Sequence, residues 1–96
     1  MSNPIHDEFF ERVKATLGDR DNSYGDARTM CNGVAAMWTE ISDNAVFHAD
    51  DVPKFMIAMK LMRLHTDNHH TDSMIDIAGY AAILYSLQHS GKGKTQ

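Results

Sequence analysis

Cysteine is nearly absent from this 96-residue chain. Cys31 stands alone, so no disulfide can form within it, and a reducing cytoplasm is the expected setting. Long apolar runs are missing too: none approaches the roughly 18 residues a membrane span needs. The first ten residues, MSNPIHDEFF, carry no cationic lead and no extended apolar core, so they are not expected to act as a signal peptide. Positive charge is not in excess. Nine Lys and Arg face thirteen Asp and Glu, a net charge of −4 that disfavours a general nucleic-acid coat. Val, Thr and aromatic residues do not cluster in alternating runs, so strands are not expected. No GxxxxGK[ST], GxGxxG or GxSxG occurs, which excludes P-loop phosphoryl transfer and gives no dinucleotide-binding or nucleophile-elbow signal.

What is present is helical. Hydrophobic residues make up 43% of the chain, and seven Met suit adaptable helix packing. One helical domain is expected over residues 1–90, with a polar, Gly-rich and disordered tail over 91–96. Asn3-Pro4 is a helix start, an N-cap followed by Pro at the first helical position. Ile5, Phe9, Val13 and Leu17 recur every fourth residue as a buried stripe, and Gly18 reads as the stop. DRDNSYG, from Asp19 to Gly25, reads as a loop by composition. Asp26 can cap a second helix whose stripe is Met30, Val34, Met37 and Ile41, with Cys31 and Trp38 beside it.

Asp50-Asp51 and Pro53 mark a third helix that is apolar on nearly every side. Such a helix is expected at the centre of the fold or buried between subunits. After the polar loop from His65 to Thr71, a fourth helix is expected from Asp72 or Ser73 to His89, with Met74, Ile77, Ala78, Ala81, Leu84, Tyr85 and Leu87 as its apolar set. The expected fold is therefore all-α, a compact bundle of four main helices, antiparallel where loops are short. A chain this short buries a modest share of its surface, so a homo-oligomer is expected.

The candidate chemistry centres on charge in apolar helices. Lys60 and Arg63, spaced i, i+3, share a face of the third helix; Asp72 and Asp76, spaced i, i+4, share a face of the fourth. Antiparallel pairing sets Arg63 near Asp72 and Lys60 near Asp76. Two readings are open. The pairs are inter-helix salt bridges that fix register, or the cations hold a phosphate while the carboxylates orient them or hold a metal ion. Ser73-x-x-Asp76 also fits a capping box, with Asp in place of Glu. In the expected loop, Arg20 can bind phosphate and Tyr24 can stack on a base, or Tyr24 can simply cover the bundle end. Trp38 and Tyr80 are core residues or aromatic walls of the site. His65, His69 and His70 have zinc-ligand spacing only if one helix runs through them, and no Cys cluster or HExxH accompanies them. Cys31 has no partnering base and reads as a buried thiol.

DRDNSYG, Trp38 thirteen residues after Gly25, KLMRL and DSMIDIAGYA together resemble a small family of phage and prophage proteins of unknown function. The resemblance covers about Asp19 to Leu84. It carries over Arg20, Tyr24, Gly25, Trp38, Lys60, Arg63, Asp72, Ser73, Asp76, Gly79 and Tyr80. Its members usually have Asn where this chain has Met30. The family is distantly similar to the all-α, MazG-like nucleoside triphosphate pyrophosphohydrolases, which hold magnesium with ExxE and ExxD on successive helices. This chain departs from that pattern, with Glu8 and Glu11 on the first helix and only Asp72 and Asp76 on the fourth. A further similar case is a small phage nucleotide kinase without a P-loop; phages also make small oligomeric helical proteins that sequester nucleotide-derived immune signals with cations and aromatics and no catalytic carboxylates.

The resemblance implies a phage-type protein, in the cytoplasm of the infected host cell, that binds a nucleotide or a cyclic or ADP-ribose-like derivative. The expected ligand-binding residues are Arg20, Tyr24, Lys60, Arg63, Asp72, Asp76 and Tyr80, and no cofactor is expected. The enzyme alternative is a magnesium-dependent hydrolase or kinase with Asp72, Asp76, Glu8 and Glu11 as ligands. The third reading is a structural or host-protein-binding module.

Overall fold

A computed structural model describes residues 3–43 and 45–89, with Tyr24 described by its backbone alone. Among them are four helices and no strands: α1 Pro4–Tyr24, α2 Ala27–Ser42, α3 Asp51–Thr66 and α4 Thr71–His89. The expected tail over 91–96 lies outside the described residues. No helix is long and apolar enough to cross a membrane among the described residues.

The first helix starts as the residues dictate. Asn3 Oδ1 accepts from the N–H groups of Ile5 at 2.9 Å and His6 at 3.4 Å, and Pro4 takes the first position, where no N–H is needed. Its end does not follow the composition. Gly18 is no stop, and the expected loop from Asp19 is helical through Tyr24. The helix ends at Gly25, whose φ of 80° favours glycine and whose N–H donates to Asp21 O at 2.9 Å. Local propensity loses because Leu17 and Arg20 on this stretch both meet α4.

Side chains at each junction take the orphan backbone groups. The Asp26 carboxylate accepts from Thr29 N–H at 3.1 Å and caps α2. Thr39 Oγ1 donates to Ala35 O and accepts from Phe47 N–H, both at 2.9 Å, which fixes the connector to α3. The Asp51 carboxylate accepts from His48 N–H at 2.9 Å. At α4 the expected Ser73–Asp76 box does not form. His70 Nδ1 accepts from Ser73 N–H at 3.2 Å and lies 2.7 Å from Ser73 Oγ, which is fully buried. Asp76 is thereby released from any helix-start role. Arg28 closes the far end of α4, donating to Leu87 O at 2.9 Å.

The central element is α4, not α3. Ser73, Ile75, Gly79, Tyr80, Ile83 and Leu87 of α4 are buried. It packs against α3 on one side, antiparallel across a short loop, and against α1 on the other. Leu17 lies beside Gly79, Arg12 beside Asp72 and Arg20 beside Tyr80, so α1 runs parallel to α4. Of α3 only Val52 and Pro53 are buried, and Phe55, Met59, Leu61 and Met62 are exposed. The face of α2 is also rotated from expectation: Cys31 and Ala35 are buried, whereas Met37 and Ile41 face solvent. In α4, Met74, Ala81 and Tyr85 of the expected set are exposed. The four helices form an all-α bundle with α4 at its centre.

Gly18→Ala tests the continuity of α1. A Cβ there meets nothing within 4 Å, so Ala is expected to raise stability by about 0.5–1 kcal/mol in urea unfolding. Gly25→Ala, forced to a positive φ, is expected to lower it by about 1 kcal/mol. A destabilised Gly18→Ala protein would mean that α1 breaks there.

Candidate functional site

Residues on α4 spaced by four share a face. Asp72, Asp76 and Tyr80 form such a row, and each meets a cation from a neighbouring helix. Arg12 of α1 lies 4.0 Å from Asp72, with both side chains largely exposed. Lys60 of α3 lies 3.2 Å from Asp76, with both side chains partly buried. Arg20 of α1 lies over the Tyr80 ring, 4.7 Å from its centroid. The expected Lys60–Asp76 pair is therefore formed. The expected approach of Arg63 to Asp72 is not: Asp72 turns to Arg12, and Arg63 is exposed with no ion-pair partner among the described residues. Arg63 shares the exposed i, i+4 row of Phe55 and Met59, which faces away from α4.

The third rung of this row borders a cavity of about 200 Å³. Arg20, Met30, Cys31, Trp38, Met56 and Tyr80 are among the side chains that line it, and its walls are mostly apolar. Val52 and Met56 stand at the same i, i+4 spacing that leads on to Lys60, so the cavity and the Lys60–Asp76 pair follow one another along the α3–α4 groove. One helical turn separates them, about 6 Å.

Arg20 is the unusual member. It is partly buried, and among the described residues it has no carboxylate partner and no side-chain hydrogen bond; the Tyr80 face is what meets it. A guanidinium carries five N–H donors, and an aromatic face engages its charge without taking up those donors. Burial pushes the Cys31 thiol above its ordinary pKa, while nearby Arg20 pulls it down and Asp26 and Asp50 push it up.

The expected residues thus separate. Arg20 and Tyr80 meet in the cavity, with Trp38 and Gly25 in its wall. Lys60 and Asp76 lie one turn away, Asp72 belongs to a shallower hollow with Arg12, and Arg63 stands outside. The Tyr24 side chain lies outside the described residues. Arg12, Cys31 and Met56 are not singled out as site residues by the sequence. For Arg12 and Met56 the signal is the pair of i, i+4 rows 12-16-20 and 52-56-60, visible only once the facing helices are known. Met30 puts a thioether in the cavity wall.

The magnesium alternative finds no donor set. Asp76 is engaged by Lys60, Asp72 by Arg12 and Glu11 by Lys14 at 3.6 Å. Among the described residues no three His, Cys, Asp or Glu converge as a metal ion requires. The zinc spacing of the histidines fails as well: α3 ends at Thr66, between His65 and His69, and His70 caps α4.

A family model matches residues 10–88 of the chain. The chain belongs to that family, described as a domain of unknown function, DUF6378. The matched span holds most of α1, the other three helices almost entirely and every residue of the row on α4. Among curated relatives, the Gene 55 protein of Mycobacterium phage L5 is 35% identical over 71 residues, covering 74% of this chain and 46% of that protein. The Gene 55 protein of Mycobacterium phage D29 is 33% identical over 74 residues, covering 77% of this chain and 48% of that protein. The chain spans about half the length of these relatives. The expected phage kinship is thereby established at the level of the family. No solved structure matches the chain.

Two measurements probe this geometry. Asp76→Leu alone is expected to cost about 1–2 kcal/mol in urea unfolding, because it strands Lys60, and Lys60→Met added to it should recover most of that loss. An additive double variant would show that the pair is not coupled. For Cys31, iodoacetamide labelling of the native protein is expected to be far slower than that of the unfolded chain. The raised thiol pKa also sets a sign: the unfolded chain releases this proton first, so stability from this group falls as pH rises from the ordinary thiol range through the native value. Equal labelling rates would place the thiol at the surface.

Proposed function

We propose that this chain binds a nucleotide or a nucleotide-derived small molecule, with a planar base beside Arg20 and Tyr80 and a phosphate toward Lys60. The observation that carries the reading is Arg20: a partly buried guanidinium in a mostly apolar cavity, met by an aromatic face and by no carboxylate among the described residues. An acceptor-rich ligand supplies what the ring cannot, since guanidinium donors pair best with anions and planar acceptors. Trp38 and Tyr80 offer ring surface for a base. The Lys60–Asp76 pair, one turn on, lies within the reach of a ribose that joins base to phosphate.

Size narrows the ligand. A cavity of about 200 Å³ falls below the roughly 300–1,000 Å³ of drug-sized sites. It suits one base, as in a mononucleotide or one end of an ADP-ribose-like molecule, better than a whole cyclic dinucleotide. Asp76 orients Lys60, and Asp72 with Arg12 lies farther out along the same row. With no convergent carboxylates to hold a metal among the described residues, binding without turnover is the favoured chemistry. In a phage-type protein this activity withdraws a nucleotide-derived signal inside the infected host cell.

Isothermal titration against mononucleotides, ADP-ribose and cyclic dinucleotides tests the proposal. Mononucleotide-scale ligands are expected to release heat, to slow Cys31 labelling and to be recovered intact. Arg20→Gln is expected to weaken binding about ten-fold or more, the loss of one to two charge-assisted hydrogen bonds, with little change in Tm. Silence across the whole panel defeats the reading. Ligand consumed during titration would instead favour the enzyme alternative.

A further inference from the structure

The exposed side of α3 has its own pattern. Asp51, Phe55, Met59 and Arg63 stand four residues apart and form one ridge of the helix. Read along the chain, the ridge is acid, apolar, apolar, base. Read against a reversed copy of itself it is complementary at every step. Phe55 is 45% exposed, Met59 62% and Met62 64%, a large apolar surface to leave in water. Beside the ridge runs an open groove lined by Trp38, Phe47, Phe55, Ala58, Met59 and Met62. Trp38, Phe47 and Phe55 pack edge-to-face with centroids 5.1–5.8 Å apart, so its floor is preformed.

We propose that this face is covered by α3 of a second copy of the chain, antiparallel and centred at the level of Ile57. In that register Asp51 of each copy meets Arg63 of the other, and Phe55 of each meets Met59 of the other. Every contact occurs twice, as a two-fold axis demands. The register gives the exposed Arg63 guanidinium a carboxylate, which it does not have among the described residues of its own chain. Opposed helix dipoles add to the match, because α3 is acidic in its first turn and basic in its last.

Sedimentation equilibrium of the chain at micromolar concentration tests this. The wild type is expected at twice 10.8 kDa. Met59→Glu, on an exposed position, is expected to sediment as a monomer with unchanged far-ultraviolet circular dichroism. Arg63→Asp should weaken dimerisation about ten-fold or more by setting a carboxylate against Asp51, which keeps its bond from His48 N–H, whereas Arg63→Lys should leave the dimer largely intact. A wild type that stays monomeric overturns the proposal and gives the face to another occupant, such as a further segment of a longer chain or a host protein. A dimer indifferent to Met59→Glu overturns it too, because the contact then lies elsewhere. An Arg63→Asp chain that dimerises as tightly as the wild type overturns the register.

Discussion

One row on α4 governs this molecule: a carboxylate, a carboxylate and a ring, each one turn apart and each facing a cation from another helix. Asp72 faces Arg12, Asp76 faces Lys60 and Tyr80 faces Arg20. The row draws from both neighbours, α1 on one side and α3 on the other, so it sets the relative register of three helices at once. The exposed Arg12–Asp72 pair contributes little energy, on the order of 0–1 kcal/mol, and the partly buried Lys60–Asp76 pair gives back much of its attraction as desolvation. Their value here is positional. Mismatched registers would leave like charges together or a partly buried ion alone, and those errors cost more than the correct pairs gain.

The rungs are not equivalent. From Asp72 to Tyr80 the row moves from largely exposed to buried surroundings. At the first two rungs the cation is met by a full negative charge. At the third it is met by a quadrupole, which attracts the charge but leaves the N–H donors to solvent or to a ligand. The same small domain therefore holds two different settings for a cation in apolar helix surface. Lys60 is neutralised by its neighbour, and Arg20 is not.

Much of this is legible from residues alone. Asn3-Pro4 and Asp26 specify caps whose chemistry is local, and the short loop before α4 specifies an antiparallel pair in which Lys60 finds Asp76. Other features depend on distant partners. Gly18 and the run of Asp and Asn after it weigh against helix, and only the contacts of Leu17 and Arg20 with α4 tip the balance back. The inner faces of α2 and α4 are hidden for a related reason. α4 carries apolar residues over most of its surface, so periodicity cannot choose its inner side; α2 has a distinct apolar side, but its buried positions within that side are the small Cys31 and Ala35, not the large Met37 and Ile41. Arg20 stands out in the sequence as a candidate binder of anions, but composition places it in a loop, whereas it occupies the last turns of a helix.

The apolar excess of α3 follows from the same geometry. A helix that must present Val52, Met56 and Lys60 to α4 uses one narrow face for the core, the cavity and the ion pair together. Phe55, Met59 and Met62 lie around the cylinder from that face and cannot reach the same core. Leaving a large apolar side chain in water forfeits about 1.5–3 kcal/mol relative to burial. In a chain this short such a loss is a sizeable share of total stability. Trp38 stands between the two faces, lining the cavity on one side and the α3 groove on the other. Its ring is held edge-on by Phe47 and Phe55, so the cavity wall keeps its shape only while that aromatic cluster does. Trp38 is the residue common to the two linings, so the packing of one aromatic cluster shapes both the cavity and the groove.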